Sequence, residues 1–298
     1  MRRSRFDDNT PARRGRRRFD DEDHEPAPHP HTPDLDASDD PADGDRWSTW
    51  DLAQHGPRPH PDWLVTELAA VDTGLGVLKT GKEADVHLLE RAVPGTARSC
   101  VLAAKRYRSA EHRMFHRDAA YLEGRRVRRS RETRAMARRT AFGRDLLAGQ
   151  WAAAEFSALC RLWQIGAPVP YPVQLHGTEL LLEYLDEEDG QAAPRLAQLR
   201  PGPAQLHELW NQLIEAMTLL VDEGLAHGDL SPFNLLVHRG RLVLIDLPQV
   251  VDIVANPQGP AFLARDIRNV TDWFTARGLP RAVIDADTSR LWTPHQWR

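Results

Sequence analysis

A chain of 298 residues that is 41% hydrophobic and 28% charged is long and apolar enough for one large domain or two lobes. A net charge of −4 points to no partner, and two cysteines, Cys100 and Cys160, without CxxC or histidine spacing exclude a zinc site or a disulfide framework. No apolar run approaches the ~20 residues of a membrane span, and the basic N-terminus has no apolar signal core, so a cytoplasmic protein with reduced thiols is expected. Residues 1–45 alternate basic and acidic blocks with almost no apolar residues, the composition of a disordered tail. The arginines at 13–18 could touch nucleic acid, but Asp20, Asp21, Glu22 and Asp23 follow at once and cancel their field. Residues 46–69 carry Trp47, Trp50 and Trp63 and read as an extension packed on the folded body, with a helical turn at Val65–Leu68.

From residue 72 the pattern turns to strands. Gly74, Gly76 and Gly81 lie between strand-like residues, and Ala84–Leu88 continues as a strand. A glycine-bearing hairpin of this kind can lay backbone N–H groups over phosphates. It is neither GxxxxGK[ST] nor a full GxGxxG, so by itself it is weak evidence. Lys82 either contacts a phosphate or is an exposed turn lysine. The next strand, CVLAAKRYR, carries Lys105, which reaches phosphates if a nucleotide site follows and otherwise guards a strand edge. Residues 111–148 hold eight arginines between Arg125 and Arg139, a mobile basic loop or cationic helix that fits RNA as readily as bulk solvent.

Residues 150–165 place Trp151, Phe156, Leu159, Leu162 and Trp163 at helical spacing, with Glu155 among them. That carboxylate either pairs with Lys105 or faces solvent. Gly166 ends the helix, and Pro168, Pro170 and Pro172 stiffen the connection to strands at 173–176 and 180–184. Glu183-Tyr184-Leu185 then opens a polar stretch suited to a hinge. A second helix, 203–225, shows Leu206, Leu209, Leu213, Met217 and Leu220 on one face.

The most informative stretch is HGDLSPFNLLVHRGRLVLIDLPQ, residues 227–249. Asp229 precedes Asn234 by five residues. Two short strands joined at His238-Arg239-Gly240 form a hairpin that ends on Asp246. This would hold two carboxylates and one amide at the mouth of a cleft, an arrangement protein kinases use for proton acceptance and metal binding. An ordinary surface hairpin is the bland alternative. A helix over 260–277 follows, with Phe262, Ile267, Val270 and Phe274 inward, and 279–298 reads as a short docked or frayed tail.

Taken together, TGKEADVHLL (80–89), AAKRY (103–107), WAAAEFSALCRLWQIGAPVPYPV (151–173), LLEYLDEED (181–189), HGDLSPFN (227–234), IDLPQVV (245–251) and FLARDIRNVTDWF (262–274) resemble the RIO family of atypical protein kinases, its type 1 branch in particular. The resemblance implies an α+β, two-lobed kinase-like fold with a mainly β N-lobe over 70–182 and a mainly α C-lobe with its hinge over 183–280. It implies Asp229 as the catalytic aspartate and Asn234 and Asp246 as ligands of Mg²⁺, with Mn²⁺ as the alternative ion. It further implies a transient phosphorylation of Asp246, Lys105 with Glu155 on the ATP phosphates, Gly81 and Lys82 above them, and the backbones of Glu183 and Leu185 against adenine. The chain from Asp246 to Phe262 is too short for the usual activation loop and peptide platform, and Leu247-Pro248 departs from the small or β-branched residues common there.

The expected activity is ATP- and Mg²⁺-dependent serine/threonine phosphorylation, autophosphorylation included, with an unidentified protein acceptor. Three other readings stay open. One is an ATPase switch on an RNA–protein or ribosomal assembly, one a small-molecule kinase of the aminoglycoside or choline type, and one an RNA-binding scaffold acting through Arg125–Arg139.

Overall fold

The computed structural model describes residues 41, 43–108 and 141–292, and of 141–146 the backbone alone. Residues 1–40 of the charged tail, the arginine-dense segment Arg125–Arg139 and Trp297, for which the sequence raised expectations, lie outside the described residues. Asp45 at the tail's end, in contrast, is tied to the Asp72 carbonyl and the Gly74 N–H.

Strands β1 (Arg46–Trp47), β2 (Gln54–His55), β3 (Val71–Thr80), β4 (Ala84–Ala92), β5 (Ser99–Tyr107), β6 (Pro172–His176) and β7 (Glu179–Glu183) form one antiparallel sheet in the order β1-β3-β4-β5-β7-β6-β2. Strands β1 and β2 occupy opposite edges, yet only residues 48–53 separate them. Seven extended steps cover at most ~25 Å, less than the ~29 Å width of a flat seven-strand sheet, so the sheet must curl. A buried ion pair confirms the curl from inside. Arg91 on β4 donates to Asp72 on β3 at 2.7 Å and to Gln174 on β6 at 2.9 Å, and Gln174 passes the network to Thr49 at 2.8 Å.

The extension 46–69 thus does more than pack against the body: it supplies both edge strands. Its expected helical turn at Val65–Leu68 is absent. Leu64 and Val65 are pulled into the core beside Trp50, Leu102 and Tyr171, and Glu67 spends its carboxylate on the Thr66 N–H and on Arg98. Between β3 and β4 a Cβ at Gly81 would lie 2.6 Å from the Ala84 carbonyl, so only glycine lets this turn close.

Helix α1 (Ala141–Gln164) begins well before the expected residue 150, taking in the end of the stretch assigned to the basic segment. Gly166, at φ 80°, terminates it, with the Ala167 N–H reaching back to the Leu162 carbonyl. Its inner face, Phe156, Leu159 and Leu162, shares one core with α2 (Pro203–Asp222) and the helix after the hairpin. Pro203 starts α2 and Gly224, at φ 71°, turns the chain into β8 (Leu225–Ala226). Strands β9 (Leu235–His238) and β10 (Arg241–Leu244) make the expected hairpin, with Arg239 and Gly240 both at positive φ as a type I′ turn requires. Strand β11 (Val251–Asp252) pairs with β8, and α3 (Gly259–Thr275) completes the C-lobe core.

The stretch expected as a docked or frayed tail instead contains helix α4 (Arg281–Arg290). Ile284 and Leu291 anchor it, and Trp210 donates its indole N–H to Asp287 at 2.9 Å. Two apolar residues amid charges are too thin a stripe to read as a helix; the core they reach decides it. No helix among the described residues is long and apolar enough to cross a membrane.

Candidate active site

Between the curled sheet and the helical lobe lies a cleft of about 960 Å³. Lys79, Gly81 and Lys82 roof it, Glu183–Leu185 form one end, and Ile245 and Asp246 line the floor.

Lys105 stands on β5 opposite Val86 of β4 and Leu180 of β7, held on both sides by the sheet. Its ammonium lies 2.8 Å from Glu155 of α1 and 2.8 Å from Oδ1 of Asp246, so three separate elements meet on one cation. Burial alone pulls its pKa down, but the two carboxylates outweigh that and hold it above the ordinary lysine value. Burial likewise pushes Asp246 up, while Lys105 pulls it back below the ordinary aspartate value. Glu155 is nearly sealed, at 1% exposure, and also accepts the Tyr107 hydroxyl and the Leu247 N–H. Asp246 keeps φ 65°, a left-handed conformation that aspartate tolerates better than most residues. That twist turns the chain so that Leu247 is buried and its N–H meets Glu155.

The loop 227–234 is pinned from below. A Cβ at Gly228 would lie 2.1 Å from the Gln249 carbonyl, so glycine alone admits the approach. The buried carboxylate of Asp266 on α3 takes the N–H groups of Gly228 at 2.8 Å and Leu230 at 2.9 Å. Arg265 donates to the Gly228 carbonyl and Asn269 to that of Leu230. Burial raises the Asp266 pKa, and His227 with the two N–H donors opposes the rise. His227 bridges to the Ile245 carbonyl at 3.0 Å, tying the loop to the strand that delivers Asp246. Asn234 gives its amide N–H to the Asp229 carbonyl at 2.9 Å, which fixes its side chain beside Asp229.

Of the residues singled out by sequence, Gly81, Lys82, Lys105, Glu155, Glu183, Leu185, Asp229 and Asp246 all line this cleft. Asn234 is buried one hydrogen bond behind Asp229. At the hinge the Glu183 N–H is committed to the Tyr171 carbonyl and the Leu185 carbonyl to the Ala193 N–H. Burial raises the Glu183 carboxyl pKa, which the Tyr171 N–H partly offsets. Sequence reading missed Tyr107 and Asp266. Their only signals were a tyrosine two places after the lysine on a strand, and an aspartate interrupting the apolar stripe Leu263-Ile267-Val270-Phe274.

No three or more His, Cys, Asp or Glu side chains converge as a metal cage among the described residues. Asn234 and Asp246 instead offer two hard oxygen donors beside an open cleft. That set fits Mg²⁺, which keeps several waters and shares phosphate oxygens.

A family model for the RIO domain matches residues 100–287. The RIO-type serine/threonine-protein kinase Rio1 of Haloferax volcanii is 33% identical over 225 residues, 74% of this chain and 68% of that protein. The serine/threonine-protein kinase RIO1 of Caenorhabditis elegans is 37% identical over 131 residues, 44% of this chain but only 26% of the longer relative. Among solved structures, a Rio2 kinase–ADP/Mg²⁺–phosphoaspartate complex from Chaetomium thermophilum shares the fold, with a TM-score of 0.51 at 18% identity over 72% of this chain and 61% of that one. Both the domain match and the identity across most of the chain lead to one conclusion: this chain belongs to the RIO family and is a RIO-type protein kinase.

Proposed function

We propose that the cleft binds ATP with a divalent cation and transfers the γ-phosphoryl group to a serine or threonine hydroxyl. One observation carries this: a lysine, a glutamate and an aspartate from three elements share one ammonium at the cleft floor, beside Asp229 and Asn234. In this reading Lys105 exchanges Asp246 for the α- and β-phosphates, and Glu155 keeps the ammonium in place. The turn at Gly81 and Lys82 covers the phosphates. The Glu183 carbonyl and the Leu185 N–H, whose backbone partner groups are already committed, read the adenine edge. Asn234 and Asp246 hold Mg²⁺, or Mn²⁺ in its place. Bound there, the ion would neutralise the phosphate oxygens on which charge gathers. Asp229 orients the acceptor hydroxyl and takes its proton as the new O–P bond forms and ADP leaves. Most of the acceleration is positioning and electrostatics.

Transfer of radiolabelled γ-phosphate by wild type, Asp229→Ala and Asp246→Ala tests this. Labelled protein from wild type and none from the variants supports it; equal, negligible labelling with no nucleotide binding sinks it. The phosphoaspartate in the Rio2 neighbour, together with the 44% exposure of the Asp246 side chain, favours a second reading in which Asp246 itself accepts the phosphoryl group. Label on wild type that hydroxylamine releases supports it, whereas only hydroxylamine-stable label argues for hydroxyl acceptors. Phosphate release without labelled protein is the mark of an ATPase switch. An RNA contact through Arg125–Arg139 rests on sequence alone and demands steep loss of binding with salt.

A further inference from the structure

Tyr107 lines the cleft beside Lys105 and Glu155, and it is bound to the residue that controls Lys105. It stands two places after Lys105 on β5, so both side chains leave the sheet on the same face. Its ring centre is 5.3 Å from the Lys105 ammonium, and its hydroxyl donates to Oε2 of Glu155. Small residues make room for it. The ring packs on Ala84 of β4 and on Ala148 and Ala152 of α1, and Ala148 and Ala152 lie on the helical face that carries Glu155.

The hydroxyl matters because of how the Glu155 oxygens are shared. Oε1 accepts the Leu247 N–H at 3.2 Å, and the Lys105 ammonium lies 2.8 Å from Oε1 and Oε2 alike. With Tyr107 in place, Oε2 is satisfied by a neutral donor as well as by the ammonium. Without the hydroxyl, a carboxylate at 1% exposure has Lys105 as the donor that must satisfy Oε2. The ammonium is then drawn toward α1 and away from the cleft.

Accepting the cleft as an ATP site, we propose that Tyr107 is a positioning residue for nucleotide binding. Its hydroxyl holds Glu155 in the orientation that lets Lys105 exchange Asp246 for a phosphate. Burial, and then the neighbouring Glu155 charge, keep this hydroxyl protonated far above its ordinary range, so it remains a donor at working pH.

The test is steady-state kinetics of the full chain in ATP for wild type, Tyr107→Phe, Glu155→Gln and the double variant. Losing a hydrogen bond to a charged group predicts a rise in the ATP KM of about tenfold for Tyr107→Phe, with kcat falling less than KM rises. In the double variant, Tyr107→Phe adds no further rise, because the carboxylate it orients is gone. A Tyr107→Phe KM within about twofold of wild type, or a double variant whose KM rise is the product of the single rises, overturns the proposal. Should Tyr107→Phe fail to fold, trifluorotyrosine at position 107 keeps the ring and ionises more readily. Lys105, Glu155, Asp246 and Glu83 are the charged groups around the hydroxyl. The fluorinated ring keeps its donor to Glu155, so its ATP KM should stay within about threefold of wild type, and a rise of about tenfold counts against the proposal. A wild type without ATP turnover overturns the nucleotide reading and this one together; normal wild-type turnover with an unchanged Tyr107→Phe overturns this one alone.

Discussion

The same curled sheet carries two clusters in which a cation meets carboxylates. Inside the curl, Arg91 and Asp72 are both at 0% side-chain exposure, with Gln174 and Thr49 extending the network. At the cleft, Lys105 is 12% exposed and its partner Asp246 is 44% exposed. The sealed pair uses the arginine fork, whose Nε and Nη2 meet the two Asp72 oxygens at 2.7 and 3.1 Å. The open pair uses a lysine, a point charge on a flexible stem that can change partners. Where the chain needs permanence it closes a planar, multiply bonded pair away from water. Where it needs exchange it leaves a single-point contact at a solvent-facing edge.

The comparison breaks if the open cluster proves structural or the sealed one catalytic. The largest effect expected is on chemistry: Asp229→Ala should lower kcat by about a thousandfold or more, with the melting temperature nearly kept. A comparable rate loss in Arg91→Met, measured on protein shown to be folded, would collapse the distinction. The sealed pair should instead dominate stability. Arg91→Met leaves Asp72 charged and unpaired, and costs about 3–5 kcal/mol in denaturant unfolding. Replacing Asp72 by leucine in the same chain should recover much of that loss, since a buried pair is often exchangeable for apolar volume.

Asp266→Asn tests the support beneath the 227–234 loop. It keeps one acceptor for the Gly228 and Leu230 N–H groups and loses the other, so kcat should fall about tenfold with a smaller change in the ATP KM, read from the kcat and KM split.

The smallest effect is in pH. Lys105 has a raised folded pKa, so its contribution is whole below the unfolded value of ~10.4 and disappears only as pH rises through the higher folded one. Asp246 has a lowered folded pKa, so its contribution is whole above ~3.9 and disappears as pH falls through the lower folded value. The melting-temperature gap between wild type and Asp246→Asn should therefore stay level across the neutral range and narrow only in strong acid. A gap that closes near pH 6 would mean that a group outside the Lys105–Asp246 pair governs it.

Much of the site was legible without coordinates. Asp229, Asn234 and Asp246 are close in sequence, and the β9–β10 hairpin that arranges them is local, with turn residues that announce it. Lys105 and Glu155 could be named through the resemblance, although only their 2.8 Å contact decides between a paired and a solvent-facing glutamate. Helix α4 and the non-helical segment Val65–Leu68 were misread for one reason: local propensity was weak there, and burial of two apolar residues in each case settled the outcome.

By itself the sequence determined the order of the longer strands and helices and the short-range constellation at 227–249, because periodicity and turn chemistry act over a few residues. Only tertiary structure decided that residues 46–55 supply both edge strands of the sheet, that Arg91 is sealed by Asp72 and Gln174, that Tyr107 meets Glu155 in the cleft, and that Asp266 stands behind the 227–234 loop. Each of those depends on groups distant in the chain meeting across a curl or a core, where burial and hydrogen-bond satisfaction, rather than spacing, select the partner.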